Sequence, residues 1–285
     1  MRNKQIFLIS FIIYLCTISS VRAGEYHLLP EPQKFTPLGS SFVLGRTKLS
    51  TPVLRQEWEA FVVDRGGVID DKARASIEVK LVPSLEEVPL NADEAYRLVV
   101  NNGKVTVEAV TEHGVYWAMQ TLAQLQDVQK KKATFNGCSI VDWPAFRIRG
   151  FMQDVGRTYM SIEELKREIA VLSRFKINVF HWHLTENQSW RLQSKIFPML
   201  NDSVNTTRMP GKYYTLEEAK DLVDFCKAHN ILLIPEFDMP GHSEAFVRTF
   251  RHDMQSPEGM KILKLLVDEA VSYTHLRAHE TSQDL

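Results

Sequence analysis

The sequence predicts an α/β protein: the first three βα units of a (β/α)8 barrel, preceded by a small α+β domain. Three observations carry this expectation. Beyond Trp143-Pro144, strand-like and helix-like segments alternate, which implies a parallel sheet covered by helices. Two of those strands, at His181-Trp182-His183 and Pro235-Glu236-Phe237-Asp238, carry imidazole or carboxylate groups at every second position. Period two puts each such pair on one face, so one face is apolar and the other polar. A polar inner face near strand C-terminal ends is what a barrel active site requires.

The first residues read as a leader. Arg2 and Lys4 precede an almost uncharged apolar run, Ile6 to Ile18, and Val21-Arg22-Ala23 offers a small-x-small cleavage site. The run is short for a bilayer span, so export with cleavage after Ala23 is expected, to a periplasmic or secreted location, with no stable membrane span left afterwards. Residues 24–142 read as the α+β domain. Ser76 to Leu81 alternates apolar and polar residues as a half-buried strand does. Tyr96 to Val100 and Val105 to Ala109 form two more strands, joined by Asn101-Asn102-Gly103-Lys104, a tight-turn signal. Val115 to Leu125 has helical spacing, with Tyr116 and Trp117 as core contacts against the sheet.

Trp143-Pro144 marks the boundary, because proline disfavours continued regular structure before it. In residues 143–271, Arg147 to Asp154 reads as a strand. Ser161-Ile162-Glu163-Glu164 is a capping box opening a helix to about Phe175. Asn178 to Leu184 is the next strand, followed by a long loop holding Trp190, Pro198 and Gly211. Thr215-Leu216-Glu217-Glu218 caps a helix to about His229, Ile231 to Asp238 is the third strand, and Pro257 opens a helix to about Val271.

The 34 basic and 35 acidic residues balance, which gives no electrostatic case for nucleic acid or an anionic membrane surface. A hydrophobic content of 44% fits a core-forming protein. Of three cysteines, Cys16 lies in the leader; Cys138 and Cys226 read as two buried thiols rather than a metal or redox pattern.

His181-Trp182-His183, Glu236-Phe237-Asp238-Met239-Pro240-Gly241-His242 and Phe146-Arg147-Ile148-Arg149-Gly150 together resemble the first three barrel strands of glycoside hydrolase family 20, the β-N-acetylhexosaminidases. Tyr96-Arg97-Leu98 and Gln120-Thr121-Leu122-Ala123-Gln124-Leu125 resemble the small domain that precedes that barrel. The resemblance implies hydrolysis of terminal N-acetylglucosamine or N-acetylgalactosamine from glycans by substrate-assisted retention. In that scheme the substrate's own acetamido oxygen attacks the anomeric carbon, one of the exceptions to two-carboxylate retention. No metal or cofactor is implied. Arg149 matches the arginine that holds the sugar hydroxyls, a task suited to a fixed fork of donors. Glu186 matches a position where many members carry Asp, and Asp238 and His242 match residues lining the same pocket. The resemblance places His242 near the catalytic acid, where an imidazole can orient a carboxyl group. Asp154 and His183 are expected to support this set. Strict alternation puts Arg149 and Asp154 on opposite faces: either Arg149 reaches up the barrel interior, or a bulge changes the register. His181 and His183 read equally as hydrogen-bonded core histidines or as substrate contacts, Trp182 as core, and Trp190 as a candidate for stacking on a sugar face.

The Asp-Glu pair that carries the acid chemistry in this family is expected downstream of the third unit. Asp268-Glu269 is adjacent in sequence but lies in a helix, where it reads as a solvated face. Residues 272–285 lack the apolar run of a fourth strand and read as a non-native tail. The chain alone is therefore expected to be an inactive fragment with exposed strand edges. Two other readings compete. A metal-dependent amidohydrolase-type barrel also carries His-x-His at a strand end, and a glycan-binding protein needs no acid at all.

Overall fold

The computed structural model describes residues 26–274. The expected leader at 1–23, and the expected tail beyond Thr274, lie outside the described residues. The chain divides into two compact units, at Ala145 and Phe146.

The first unit is built on β1 (Lys34–Val43), β2 (Arg46–Ser50), β3 (Val68–Ile69), β4 (Ala75–Leu81), β5 (Tyr96–Asn101), β6 (Lys104–Ala109) and β7 (Thr134–Asp142), with helices α1 (Arg55–Val63) and α2 (Glu112–Gln124). The strands form one sheet in the order β1-β7-β5-β6-β4-β2-β3. The β5–β6 hairpin turns as its sequence predicts, with Gly103 at φ +73°, a region a side chain would strain. Helix α2 starts at the Thr111 cap, whose hydroxyl accepts from His113 N at 3.1 Å. Its Tyr116 and Trp117 are buried with Tyr96, Leu98 and Val107 in a single core. Trp117 Nε1 donates to Glu94 at 2.6 Å, and Tyr96 Oη donates to Asp142 at 2.9 Å, so the polar atoms of these two core aromatics are satisfied. Four strands, among them the two-residue β3, and one helix went unread for local reasons. β1 carries Pro37 and Gly39 and is bulged between Pro37 and Ser41. β7 holds Asn136-Gly137, a turn signal spent inside a strand. β2 has five residues, and α1 starts at Leu54 without a side-chain cap.

The second unit holds β8 (Gly150–Asp154), α3 (Ile162–Arg174), β9 (Val179–His183), α4 (Leu216–Ala228), β10 (Leu232–Glu236), α5 (Glu244–Phe250) and α6 (Pro257–Thr274). β10-β9-β8 is a parallel, open sheet with unbroken register: Asp154 pairs with His183 and His183 with Glu236. Both predicted capping boxes form in full, at Ser161/Glu164 and Thr215/Glu218. Phe180, Trp182 and Leu233 face the helices and pack with Leu165, Ile169 and Leu222. This is the βα rhythm of a partial barrel. No helix among the described residues is long and apolar enough to cross a membrane.

Two expectations need correction. Asp268 is exposed and pairs with Lys264, but Glu269 is only 9% exposed. Its carboxylate accepts from Ser194 Oγ (2.7 Å), Lys195 N (2.7 Å) and Ile196 N (3.2 Å), so it anchors the long loop after β9. Trp190 is buried and stacks on Phe237 with centroids 5.1 Å apart, so its face is core rather than a sugar platform. Cys138 and Cys226 are free and buried, and burial pushes both thiols up to about 12.

Candidate active site

The C-terminal ends of β8, β9 and β10 bring the chemistry together. On the inner face His181 Nε2 lies 2.6 Å and His183 Nδ1 2.7 Å from the same oxygen of Glu236. The two imidazoles of one strand thus clasp the carboxylate of the next, as period two requires. Burial pushes the Glu236 carboxyl up, but the His183 hydrogen bond and the charges of His183 and His181 outweigh it, and the net shift is downward. Beyond β9 the chain makes a tight turn, Glu186 N to Ser189 O and back, which carries Glu186 inward. Its carboxylate is 1% exposed and pairs with both Arg157 and His242, while Asn187 N donates to its other oxygen at 2.6 Å. Asp238 stands between the two groups. Its carboxylate lies within 4.8 Å of the ligand atoms of His183 and Glu236 on one side, and of Glu186 and His242 on the other.

The turn after β10, Pro240-Gly241, sets His242 at φ 49°, an uncommon left-handed conformation for a non-glycine residue. Helix α5 follows and ties itself to the Glu186 turn: Arg248 Nη2 donates to Asn187 O at 2.6 Å and Glu244 N to Asn187 Oδ1 at 3.3 Å.

The expected residues divide clearly. Glu186, Asp238 and His242 converge, with Asp154 and His183 beside them. Arg149 does not join them. It precedes β8 and sits level with Asn178, whose Oδ1 accepts from Arg149 N at 2.8 Å. Its guanidinium donates to the Lys176 carbonyl (2.7 Å) and the Phe146 carbonyl (2.9 Å). The register of β8 has no bulge, so five residues at about 3.3 Å each separate Arg149 from the Asp154 end. Arg149 fastens the bottom of the strand.

The arginine at the site is Arg157, which the sequence reading passed over. It donates to Asp154 through both its backbone N (2.9 Å) and its side chain, pairs with Glu186, and stands 3.4 Å from His242 Nδ1. Hydrogen bonding to Asp154, and the charges of Asp154, Glu186 and Asp238, raise its proton affinity further. The legible signal was Asp154 at a strand's end followed three residues on by an arginine across a glycine. Gly156 is required there: an added Cβ would lie 2.8 Å from Glu186 Cβ and 3.1 Å from the Thr185 carbonyl carbon.

Chemically, the cluster presents a half-exposed guanidinium, three carboxylates and an imidazole, a set that grips vicinal hydroxyls by donating and accepting at fixed positions. His183, Glu236 and Asp238, or Glu186, Asp238 and His242, are the groups spaced to hold a metal ion. In each, other protein partners already engage the ligands: the paired histidines hold Glu236, and Arg157 holds Glu186. An apolar cavity of about 260 Å³, lined by Trp182, Val223, Leu233 and Ala270, opens on the helix side of the sheet and has no polar group to orient a ligand.

Parallel strands ending in such a cluster, with helices on the opposite face, define the class: the opening units of a (β/α)8 barrel, joined to an α+β domain. The particular family follows from comparison. Residues 146–281 match the model described as glycosyl hydrolase family 20, catalytic domain, and residues 25–143 match glycosyl hydrolase family 20, domain 2. The chain belongs to glycosyl hydrolase family 20, as its motifs imply. It is 33% identical over 260 residues to a beta-hexosaminidase of Porphyromonas gingivalis, covering 81% of this chain and 33% of that protein. A beta-hexosaminidase of Vibrio furnissii is 33% identical over 261 residues, covering 81% of this chain and 40% of the relative. Among solved structures, the Flavobacterium johnsoniae chitobiase superposes with a TM-score of 0.74 at 28% identity, covering 89% of this chain and 44% of that one. The Bacteroides fragilis beta-N-acetylhexosaminidase gives 0.73 at 25%, covering 86% and 54%. The chain thus spans a third to two fifths of the length of these curated relatives.

Proposed function

We propose that this chain supplies the sugar-gripping half of a retaining β-N-acetylhexosaminidase that removes terminal N-acetylglucosamine or N-acetylgalactosamine from exported glycans. The observation that supports it is the convergence of Asp154, Arg157, Glu186, Asp238 and His242 at one end of three parallel strands. Arg157 and Glu186 hold the hydroxyls of the terminal sugar. His242, fixed by Glu186, faces the position of the general acid and orients its carboxyl group. The substrate's acetamido oxygen is the nucleophile. The proton for the leaving oxygen comes from a glutamic acid, and the acetamido group is steadied by an adjacent aspartate; this pair belongs to a later part of the barrel. The reaction needs no metal. On this reading the protein is periplasmic or secreted, and residues 1–285 by themselves do not hydrolyse substrate.

The test is release of p-nitrophenol from p-nitrophenyl N-acetyl-β-glucosaminide and its galacto epimer. The full-length gene product should turn over both or one, with no loss after dialysis against a chelator, while the 285-residue chain stays silent. Turnover that collapses on chelation would replace this reading with a metal-dependent one. A full-length product that binds N-acetylglucosamine without hydrolysing it would leave a glycan-binding protein.

A further inference from the structure

We infer that Arg191 is a positioning residue for sugar binding: buried beneath the site, it holds the Val155-Gly156 turn and thereby sets Arg157 against Glu186. This rests on the reading that Arg157 contacts the sugar. Arg191 is 0% exposed, so it touches no substrate itself. Its donors all go to main-chain carbonyls. Nε reaches Val155 O (3.0 Å), Nη2 reaches Gly156 O (3.4 Å) and Arg208 O (2.9 Å), and Nη1 reaches Lys212 O (2.6 Å) and Met209 O (3.3 Å). One guanidinium therefore ties the two residues before Arg157 to the loop at 208–212. The Tyr159 ring centroid lies 6.0 Å from its Cζ. Burial without a neutralising carboxylate lowers its proton affinity, so carbonyl dipoles carry the load that an ion pair would otherwise bear.

The turn it holds is otherwise short of freedom. Val155 N and Gly156 N both donate to His183 O, at 3.1 and 3.2 Å, and Ser189 Oγ donates to Gly156 O at 2.6 Å. The turn rests directly on Thr185 and Glu186, with no space for a side chain at position 156. Small displacements of 155–156 are thus passed to the Arg157–Glu186 pair. Only a planar fork with five donors matches this arrangement of carbonyls; an ammonium with three donors on one atom does not.

The test is a double-mutant cycle in the full-length protein, with the nitrophenyl N-acetyl-β-glucosaminide as probe. Arg191→Lys should raise KM about tenfold while kcat changes by less than about threefold, as loss of uniform binding does. In an Arg157→Lys background the same change should cost less than about twofold in kcat/KM, because the group being positioned is already gone. An equal cost in both backgrounds would show Arg191 acting on stability alone and would overturn the inference, as would an unchanged KM. If Arg191→Lys yields no folded protein, Ser189→Ala cuts the other side-chain tie to the same Gly156 carbonyl and must show the same dependence on Arg157; additive costs there overturn it too. A wild-type product without hydrolysis would instead sink the enzymatic reading, so the two failures are distinct.

Discussion

Arg157→Met tests whether the cluster is held by one shared cation. Methionine keeps most of the stem and removes the charge. The Glu186 carboxylate is 1% exposed and would keep only His242 and Asn187 N as donors, whereas Arg157 is 47% exposed and partly solvated already. Removing one partner of a fully buried ion pair costs about 3–5 kcal/mol, and a charged hydrogen bond contributes about 1.5–3 kcal/mol. Half-exposure of the cation favours the lower figure, about 2 kcal/mol for the Glu186 side. The Asp154 pair, with Asp154 part-exposed, adds about 0–1 kcal/mol. The sum is about 2–3 kcal/mol, or a fall in melting temperature of roughly 4–12 °C at roughly 2–4 °C per kcal/mol. The measurement is thermal unfolding of the full-length protein, with Glu186→Gln and the double variant alongside. Neutralising both partners should recover part of the loss, since no uncompensated charge remains. A loss under about 0.5 kcal/mol for Arg157→Met, or strictly additive losses in the double variant, would refute the shared-cation reasoning.

Other outcomes follow from the same geometry. The Glu236 carboxyl sits below its ordinary value, so its contribution is present above the unfolded value of about 4.3 and is lost as pH falls through the lower folded value. The stability difference between wild type and Glu236→Gln should therefore be largest near neutrality and shrink below about pH 4 in denaturant titrations; a constant difference would contradict the clasp. Glu269→Ala should cost about 2–3 kcal/mol, because three donors lose a buried charged acceptor, while Asp268→Ala stays within about 0.5 kcal/mol; equal effects would restore the solvated-face reading. Cys138 and Cys226, buried and pushed up to about 12, should both resist Ellman's reagent in the native protein and react on unfolding.

The sequence by itself determined the elements whose information is local. Capping boxes at Ser161 and Thr215, the Asn102-Gly103 turn and the two-residue alternation of His181/His183 and Glu236/Asp238 each depend on neighbours within a few positions. The family, and with it Glu186, Asp238 and His242, was legible from ordered motifs. Tertiary structure decided what depends on register and depth. Whether Arg149 or Arg157 reaches the cluster turns on which end of β8 each occupies, and five strand residues move a side chain by about 16 Å. Whether Glu269 faces water turns on the loop at 194–196 folding over it, and Trp190 on Phe237 lying beneath its ring. β7 became a strand despite Asn136-Gly137 because β1 and β5 pair with it on both sides. Long-range packing and pairing outweigh a local turn preference that is worth less than the hydrogen bonds of a central strand.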